Sequence, residues 1–194
     1  MTENLSFAAF DVETANPKHG SICAIGVAIV HKGRRVATHS WLCRPPAVVG
    51  EFAARNMRIH MITPNLVAKQ PSFAQLLPRV LDTVGDLPVV AHNAVFDMGN
   101  LSRACEFSGI VSPGWQYGCT YAWSKRQLRL GSYKLNQVAA ALGIVLDNHH
   151  EAGADAAAAA DVAISLARMA GAHDLADLAR INGTRLARLG GVRR

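Results

Sequence analysis

The first part of the chain contains three apolar runs separated by short polar segments. Residues 5–12, 21–30 and 36–42 are rich in aliphatic and aromatic side chains. Segments 16–20 and 31–34, which lie between them, contain the Asn, Pro and Gly residues that favour turns. Closely spaced apolar runs joined by turns are typical of neighbouring antiparallel strands. The chain is therefore predicted to begin with three such strands.

The following part of the chain alternates between helix and strand patterns. Apolar residues recur at helical spacing over 71–84, where Ser72 is a suitable N-cap. Residues 87–91 have the composition of a buried strand. Helical spacing returns in three later segments, 96–107, 135–142 and the alanine-rich 152–169.

This order of elements predicts an α/β fold. Antiparallel opening strands plus parallel strands would form one mixed sheet flanked by helices. The length of 194 residues suits a single domain. We expect this domain to occupy residues 1–171 and a short helical tail to occupy 172–194. The basic residues of the tail are interpreted as a solvated helix face and chain end: Arg180, Arg185, Arg188, Arg193 and Arg194.

Composition restricts the environment and the partners of the chain. Charged residues or glycine interrupt every apolar stretch before the roughly 18 to 20 residues that span a bilayer, so no membrane association is expected. The N-terminal segment lacks the features of an export signal, and Cys23, Cys43, Cys105 and Cys119 form no metal or disulfide pattern. A cytoplasmic location is expected. The formal charge of +6 suits a polyanionic partner but does not by itself identify one.

An acidic pair lies at the end of the first predicted strand. Strand alternation places Asp11 and Glu13 on the same face. Two neighbouring carboxylates on an otherwise apolar strand repel each other, and burying them is unfavourable unless a cation lies between them. The pair therefore suggests a hard divalent ion with oxygen ligands, and two solvated acids at a strand end are the alternative.

Two further clusters contain the residue types of a catalytic site. In the first, His92 and Asn93 form a polar turn after a buried strand, and Asp97 lies in the first turn of the next helix. An acid there also interacts favourably with the helix dipole, so Asp97 alone does not indicate a ligand. In the second, His149 and His150 precede Asp155 at the start of the alanine-rich helix.

Taken together and in this order, the three clusters resemble the three motifs of the DEDD superfamily of exonucleases, histidine branch. This DnaQ-like family includes the proofreading epsilon subunit of bacterial DNA polymerase III. Segments 59–64, 119–120 and 134–144 resemble its other landmarks, and the resemblance covers residues 5–170. The chain departs from the family pattern in having Met61 where glycine is common, and alanines at 156 and 157.

The resemblance implies an RNase H-like fold and a two-metal site. Asp11, Glu13, Asp97 and Asp155 would hold two Mg²⁺ or Mn²⁺ ions, with Glu13 also orienting the attacking water. His150 would act as general base, because it has the H-x-x-x-x-D spacing to Asp155; His149 is the competing candidate. The implied reaction is hydrolysis at the 3′ end of DNA, at single-stranded or frayed ends, with release of nucleoside 5′-monophosphates.

Several substrate and partner questions stay open at the level of sequence. Four residues are candidates for contact with the terminal nucleotide: Thr14, His60, Asn93 and Phe96. The alternatives are a 3′→5′ exoribonuclease similar to RNase T or oligoribonuclease, and an inactive module that binds nucleic acid or a polymerase. Segment 127–130 faintly resembles a clamp-binding peptide but is interpreted as an exposed helix end. Association with a DNA polymerase or clamp, and homodimer formation, are not decided by the sequence.

Overall fold

A six-stranded mixed sheet forms the centre of the protein, and the computed structural model describes residues 4–190 of the chain. The order of strands across the sheet is β3-β2-β1-β4-β5-β6. The strands are β1 (Phe7–Thr14), β2 (Ile22–His31), β3 (Arg34–Leu42), β4 (Val89–Ala91), β5 (Gln116–Cys119) and β6 (Ala187–Arg188).

The first three strands are antiparallel to one another, whereas β4 runs parallel to β1 and β5 runs parallel to β4. Strand β6 returns antiparallel to β5. The predicted mixed sheet, with antiparallel opening strands and parallel strands beside them, is therefore confirmed. Strand β1 lies at the junction between the antiparallel and the parallel pairing. Its carboxyl end lies at the same edge of the sheet as the carboxyl ends of β4 and β5.

Helices cover both faces of the sheet. They are α1 (Ala54–His60), α2 (Pro64–Val67), α3 (Phe73–Val84), α4 (Ala94–Phe107), α5 (Thr120–Gln127), α6 (Leu135–Ala141), α7 (Ala152–Ala170) and α8 (Leu175–Ile181). Helices α5 to α8 pack in one core with Phe7 and Ala9 of β1, and α3 and α4 pack in another with Ala8 and Phe10. Odd-numbered side chains of β1 thus face α7, which is the face that carries Asp11 and Glu13.

Sequence patterns located the long elements to within a few residues. Ser72 caps α3 as predicted, in a reciprocal capping box with Gln75. Elements that the sequence analysis did not predict are the short ones: β5, β6, α1, α2 and α5. Within residues 4–190, no helix has both the length and the hydrophobicity that crossing a membrane requires.

The segment predicted as a helical tail is only partly helical. It forms α8, whose Leu175 and Leu178 are buried against α7, and then the strand β6. Arg188 therefore lies on an edge strand and not on a helix face, because its backbone pairs with Gln116. Arg193 and Arg194 lie outside the described residues.

Gly26 allows the amino end of α7 to approach the sheet. It pairs with Asp11 across β1 and β2, and a Cβ atom at this position would lie 1.8 Å from the carbonyl oxygen of Ala152. Only glycine permits this contact between backbones. The sequence of β2 thus brings the start of α7 over the acidic end of β1.

Gly26→Ala is expected to destabilise the fold by about 3 kcal/mol or more, because overpacking against backbone cannot be relieved by a side-chain rotation. Gly131→Ala is a matched control, since a Cβ there meets no atom within 4 Å and the backbone does not require glycine. Urea denaturation of both variants measures the difference. Equal stability of the two variants would contradict this role of Gly26.

Candidate active site

Asp11 and Glu13 lie at the carboxyl end of β1, on the face directed toward α7. Both side chains are partly buried, whereas Phe10 and Val12 between and beside them point into the opposite core. The alternation of the strand accounts for this arrangement. The predicted pairing of the two carboxylates on one face is what the structure shows.

Asp97 reaches the same strand from the other side. The left-handed conformation of Asn93, with φ of 74°, turns the chain from β4 into α4, and Asp97 lies in the first turn of that helix. Its Oδ1 accepts a hydrogen bond from the backbone N–H of Val12 at 3.1 Å, and the residue is 2% exposed. Asp97 is therefore fixed to the segment between the two acids of β1.

Asp155 completes the cluster from the first turn of α7. It is buried, and one carboxylate oxygen from each of Asp11, Glu13 and Asp155 lies within 4.8 Å of the other two. Three of the four predicted ligands thus converge directly, and Asp97 lies beside them through its bond to β1.

Burial and mutual repulsion oppose ionisation of the carboxyl groups of Asp11, Glu13 and Asp97. Burial is the main cause that raises the pKa of Glu13 to about 8, and Asp155 and Asp97 raise it further. Burial also raises the pKa of Asp97 to about 8, against the hydrogen bond from Val12. The pKa of Asp11 is raised well above its usual range by burial, then by Asp97 and Glu13. A cation among these oxygens would remove the repulsion, and an all-carboxylate set suits a hard divalent ion.

The two histidines have different relations to Asp155. Nδ1 of His149 lies 2.9 and 3.0 Å from the two carboxylate oxygens of Asp155, whereas His150 donates its backbone N–H to Oδ2 at 3.1 Å. The imidazole rings stack with centroids 3.8 Å apart. His150 is exposed, and its backbone is in the left-handed conformation with φ of 74°. Partial desolvation of the ring is the main cause that lowers the pKa of His150, and the charge of a protonated His149 would lower it further.

His60 lines the cleft although its side chain is largely buried. Its Nδ1 accepts a hydrogen bond from the backbone N–H of Ile62 at 3.0 Å, so Nε2 carries the proton and donates to the carbonyl oxygen of Thr14 at 3.1 Å. Asn56 donates to the same carbonyl at 2.9 Å. Nε2 of His60 thus holds the segment that follows Glu13, while Nδ1 binds the backbone directly after α1.

A cleft of about 720 Å³ opens above the acids. Its lining includes Asn93 and Phe96. Phe96 is 40% exposed and is therefore not a core residue, although its position at the start of a helix would also suit the core. The sequence analysis did not assign several other lining residues to the cleft: Asn56, Ile59, Tyr121, Lys134 and Asn136. A signal was available for three of them, since Ile59, Lys134 and Asn136 lie in the segments 59–64 and 134–144 that resemble landmarks of the family.

His92 joins the elements around the cleft. Its Nε2 donates to the carbonyl oxygen of Tyr133 at 2.8 Å, and its Nδ1 lies 2.9 Å from the hydroxyl of Thr120. Burial lowers the pKa of this imidazole, which favours its neutral form. His92 therefore links β4 to α5 and to the segment before α6.

Comparison of the sequence with known proteins gives a consistent result. Residues 8–163 match the family model described as Exonuclease. DNA polymerase III PolC-type of Clostridium perfringens is 30% identical over 179 residues, which cover 91% of the chain, and that of Thermotoga petrophila is 30% identical over 171 residues, covering 86%. The chain spans only 12% of the length of these polymerases.

Solved structures with the same fold are also nucleases. Exonuclease X in complex with 5′ overhanging duplex DNA superimposes with a TM-score of 0.75 at 25% identity, covering 91% of this chain and 99% of that one. The nuclease domain of 3′hExo, a DEDDh family member bound to rAMP, superimposes with a TM-score of 0.72 at 17% identity, covering 87% and 94%. The family match, the RNase H-like sheet and the four acids at its centre agree: the chain belongs to the exonuclease family of the DEDD superfamily.

Proposed function

We propose that the protein is a metal-dependent 3′→5′ exonuclease that hydrolyses the terminal phosphodiester bond of DNA and releases nucleoside 5′-monophosphates. The observation that carries this proposal is the convergence of Asp11, Glu13 and Asp155 within 4.8 Å, with two histidines beside them in an open cleft. An inactive binding module would have no need to bury carboxylates against their mutual repulsion.

The four acids are proposed to hold two Mg²⁺ or Mn²⁺ ions, with Asp11 and Asp155 as direct ligands. Glu13 would also orient the attacking water, and Asp97 would act directly or through water. When bound, two divalent ions stabilise the attacking and leaving oxygens of an in-line phosphoryl displacement. The raised pKa values of Glu13 and Asp97 support the assignment. Both carboxyl groups retain protons at neutral pH unless a cation stabilises their ionised forms.

His150 is proposed as the general base. Its ring forms no hydrogen bond to any residue in 4–190, whereas the ring of His149 is bound to Asp155. The lowered pKa of His150 favours the neutral imidazole, which can accept the proton of a water molecule at neutral pH. His149 would position the loop by bridging Asp155 and the stacked ring of His150.

The mouth of the cleft suits a terminal nucleotide. Phe96 and Ile59 are exposed apolar side chains at the lining, and stacking of a base on an aromatic ring stabilises binding by about 1 to 3 kcal/mol without sequence preference. Asn93 is exposed beside Phe96 and can bond the sugar or base. Thr14 and His60 are proposed to shape this subsite through the hydrogen bond between Nε2 of His60 and the carbonyl oxygen of Thr14.

DNA is proposed as the substrate because the likeness to Exonuclease X extends over 99% of that chain at 25% identity, whereas the likeness to 3′hExo, at 17%, supports the fold alone. Removal of terminal nucleotides in proofreading, repair or trimming is the corresponding role. The PolC-type relatives support a polymerase partner for this domain.

The wild-type protein is expected to release 5′-mononucleotides from 3′-labelled single-stranded DNA in Mg²⁺, and to act more slowly on matched RNA. Asp11→Asn should reduce the rate roughly a thousandfold, because metal stabilisation contributes several kcal/mol to the transition state. Chromatographic identification of the labelled product measures both. Release of the label from the Asp11 variant at the wild-type rate would reject the proposed site.

His150→Ala is expected to keep the affinity for Mn²⁺ within about twofold and to lower kcat by roughly 10² to 10⁴, the usual contribution of a general base. His149→Ala is the matched comparison and should cost less, because it removes a positioning contact. Calorimetric titration with Mn²⁺ and steady-state kinetics give the two quantities. A larger kcat loss in the His149 variant would reverse the assignment.

Metal-free protein is expected to lose stability as pH rises from about 5 to 8. Glu13 has an ordinary pKa of 4.5 and a folded-state pKa of about 8, so the folded state holds the extra proton in this window and the free energy of unfolding falls with pH. The slope is at most about 1.4 kcal/mol per pH unit for each proton.

Glu13→Gln removes this titration, so in chelator the stability difference should grow in favour of the variant from pH 5 to pH 8. Added Mg²⁺ should stabilise the wild type more than the variant, because only the ionised carboxylate contributes a charged ligand. Urea denaturation at each pH measures the effect. Parallel pH profiles of the two proteins would contradict the raised pKa.

A further inference from the structure

A group of unpaired cations lies beside the active-site cleft. Residues 107–146 contain no Asp or Glu, and their only basic residues are Lys125, Arg126, Arg129 and Lys134. All four side chains are exposed. We call Lys125, Arg126 and Arg129 the cationic ridge; Lys134 lies in the wall of the cleft itself.

The ridge is continuous with the cleft. Tyr121, in the first turn of α5, lines the cleft, and Nζ of Lys125 lies 5.5 Å from the centroid of the Tyr121 ring. Lys125, Arg126 and Arg129 also line a surface groove of about 700 Å³ that ends at Tyr133. The rings of Tyr121 and Tyr133 contact edge to face with centroids 6.3 Å apart, so the two depressions share one wall.

The segment that carries the ridge is held in a fixed shape. The hydroxyl of Tyr133 donates to the carbonyl oxygen of Leu128 at 3.0 Å and accepts from the backbone N–H of Leu130 at 3.3 Å. The side chains of Leu128 and Leu130 pack against the core that contains α7. The cations are thus presented on an ordered surface, next to a cleft whose floor is acidic.

Within residues 4–190, none of the four cations forms an ion pair with a carboxylate. Arg35 and Arg180, in contrast, contact Asp161 and Asp177 at 3.0 and 2.6 Å. Several unpaired like charges on one ordered surface create a positive potential that a polyanion would neutralise. This potential also offsets the repulsion that the carboxylates of the cleft exert on an approaching phosphate chain.

We propose that the cationic ridge binds the phosphates of the substrate strand upstream of its 3′ terminus. The proposal rests on the nuclease function proposed above and assigns the path of the strand out of the cleft. Tyr121 and Lys125 are one helical turn apart, about 6 Å. A strand that leaves the cleft past Tyr121 therefore meets the ridge directly outside the cleft.

The test compares Arg126→Ala/Arg129→Ala with a control of equal charge change, Lys32→Asn/Arg34→Ala. Lys32 lies in the turn between β2 and β3, and Arg34 is the first residue of β3. Both lie at the end of β1 away from Asp11, and asparagine tolerates the φ of 50° at position 32. Substrates are oligothymidylates of about 20 nucleotides and a dinucleotide, whose single phosphodiester is the bond hydrolysed and which therefore offers the ridge no upstream phosphate.

The ridge variant should have a KM for the long strand about tenfold higher than the wild type, with kcat within twofold. The kinetic constants for the dinucleotide should be unchanged. The slope of log kcat/KM against log salt should fall in magnitude by about 1.4, because two phosphate contacts are lost. The control should match the wild type, and Arg126→Lys/Arg129→Lys should restore the affinity. An unchanged KM for the long strand, or equal losses on both substrates, would overturn the proposal.

Binding is measured separately so that the two proposals can fail independently. Fluorescence anisotropy of a 5′-labelled oligothymidylate in chelator needs no catalysis, and the ridge variant should bind about tenfold more weakly than the control. A wild type that binds through the ridge but hydrolyses nothing would reject the nuclease function alone. Equal binding by the ridge and control variants would reject the ridge.

Discussion

Repulsion between carboxylates at the end of β1 is the constraint around which this structure is organised. Asp11 and Glu13 are placed on one face by strand alternation, and Asp155 is brought to them although burial and like charge oppose it. The contacts that force this meeting lie elsewhere, in the close approach of Ala152 to Gly26 and in the alanine packing of α7. Stability of the surrounding core thus holds the acids in a geometry that favours a bound cation.

The sequence predicted those elements of the fold in which apolar residues recur at regular strand or helix spacing. Antiparallel strands, α3 with its Ser72 cap, and the alanine-rich α7 each extend over enough residues for alternation or helical spacing to be visible. Strands β5 and β6 do not, since Gln116–Cys119 and Ala187–Arg188 are too short to show alternation and exist only because a neighbouring strand supplies their hydrogen bonds. The pairing of β6 is a tertiary event that local pattern does not encode.

The candidate site shows the same division. Chemistry and order along the chain indicated the four acids, but not how each is held, such as the bond from Val12 to Asp97. Spacing pointed to His150, while the structure shows that the ring of His149 contacts Asp155. His60, a candidate for contact with the substrate, lines the cleft, and the sequence did not indicate that both its nitrogens bind backbone. The directions in which the imidazole rings of His60, His149 and His150 point depend on loop conformation, for which the sequence carries no periodic signal.

The distance along the chain between β1 and α7 has a consequence for synthesis. Asp11 emerges from the ribosome early, whereas Asp155 and the helix that carries it follow only after most of the sheet has been made. Until α7 docks over Gly26, the nascent chain presents isolated acids and no closed ligand set. The acidic cluster is therefore complete only after α7 has been synthesised, and a ribosome-bound fragment that ends before α7 would lack Asp155.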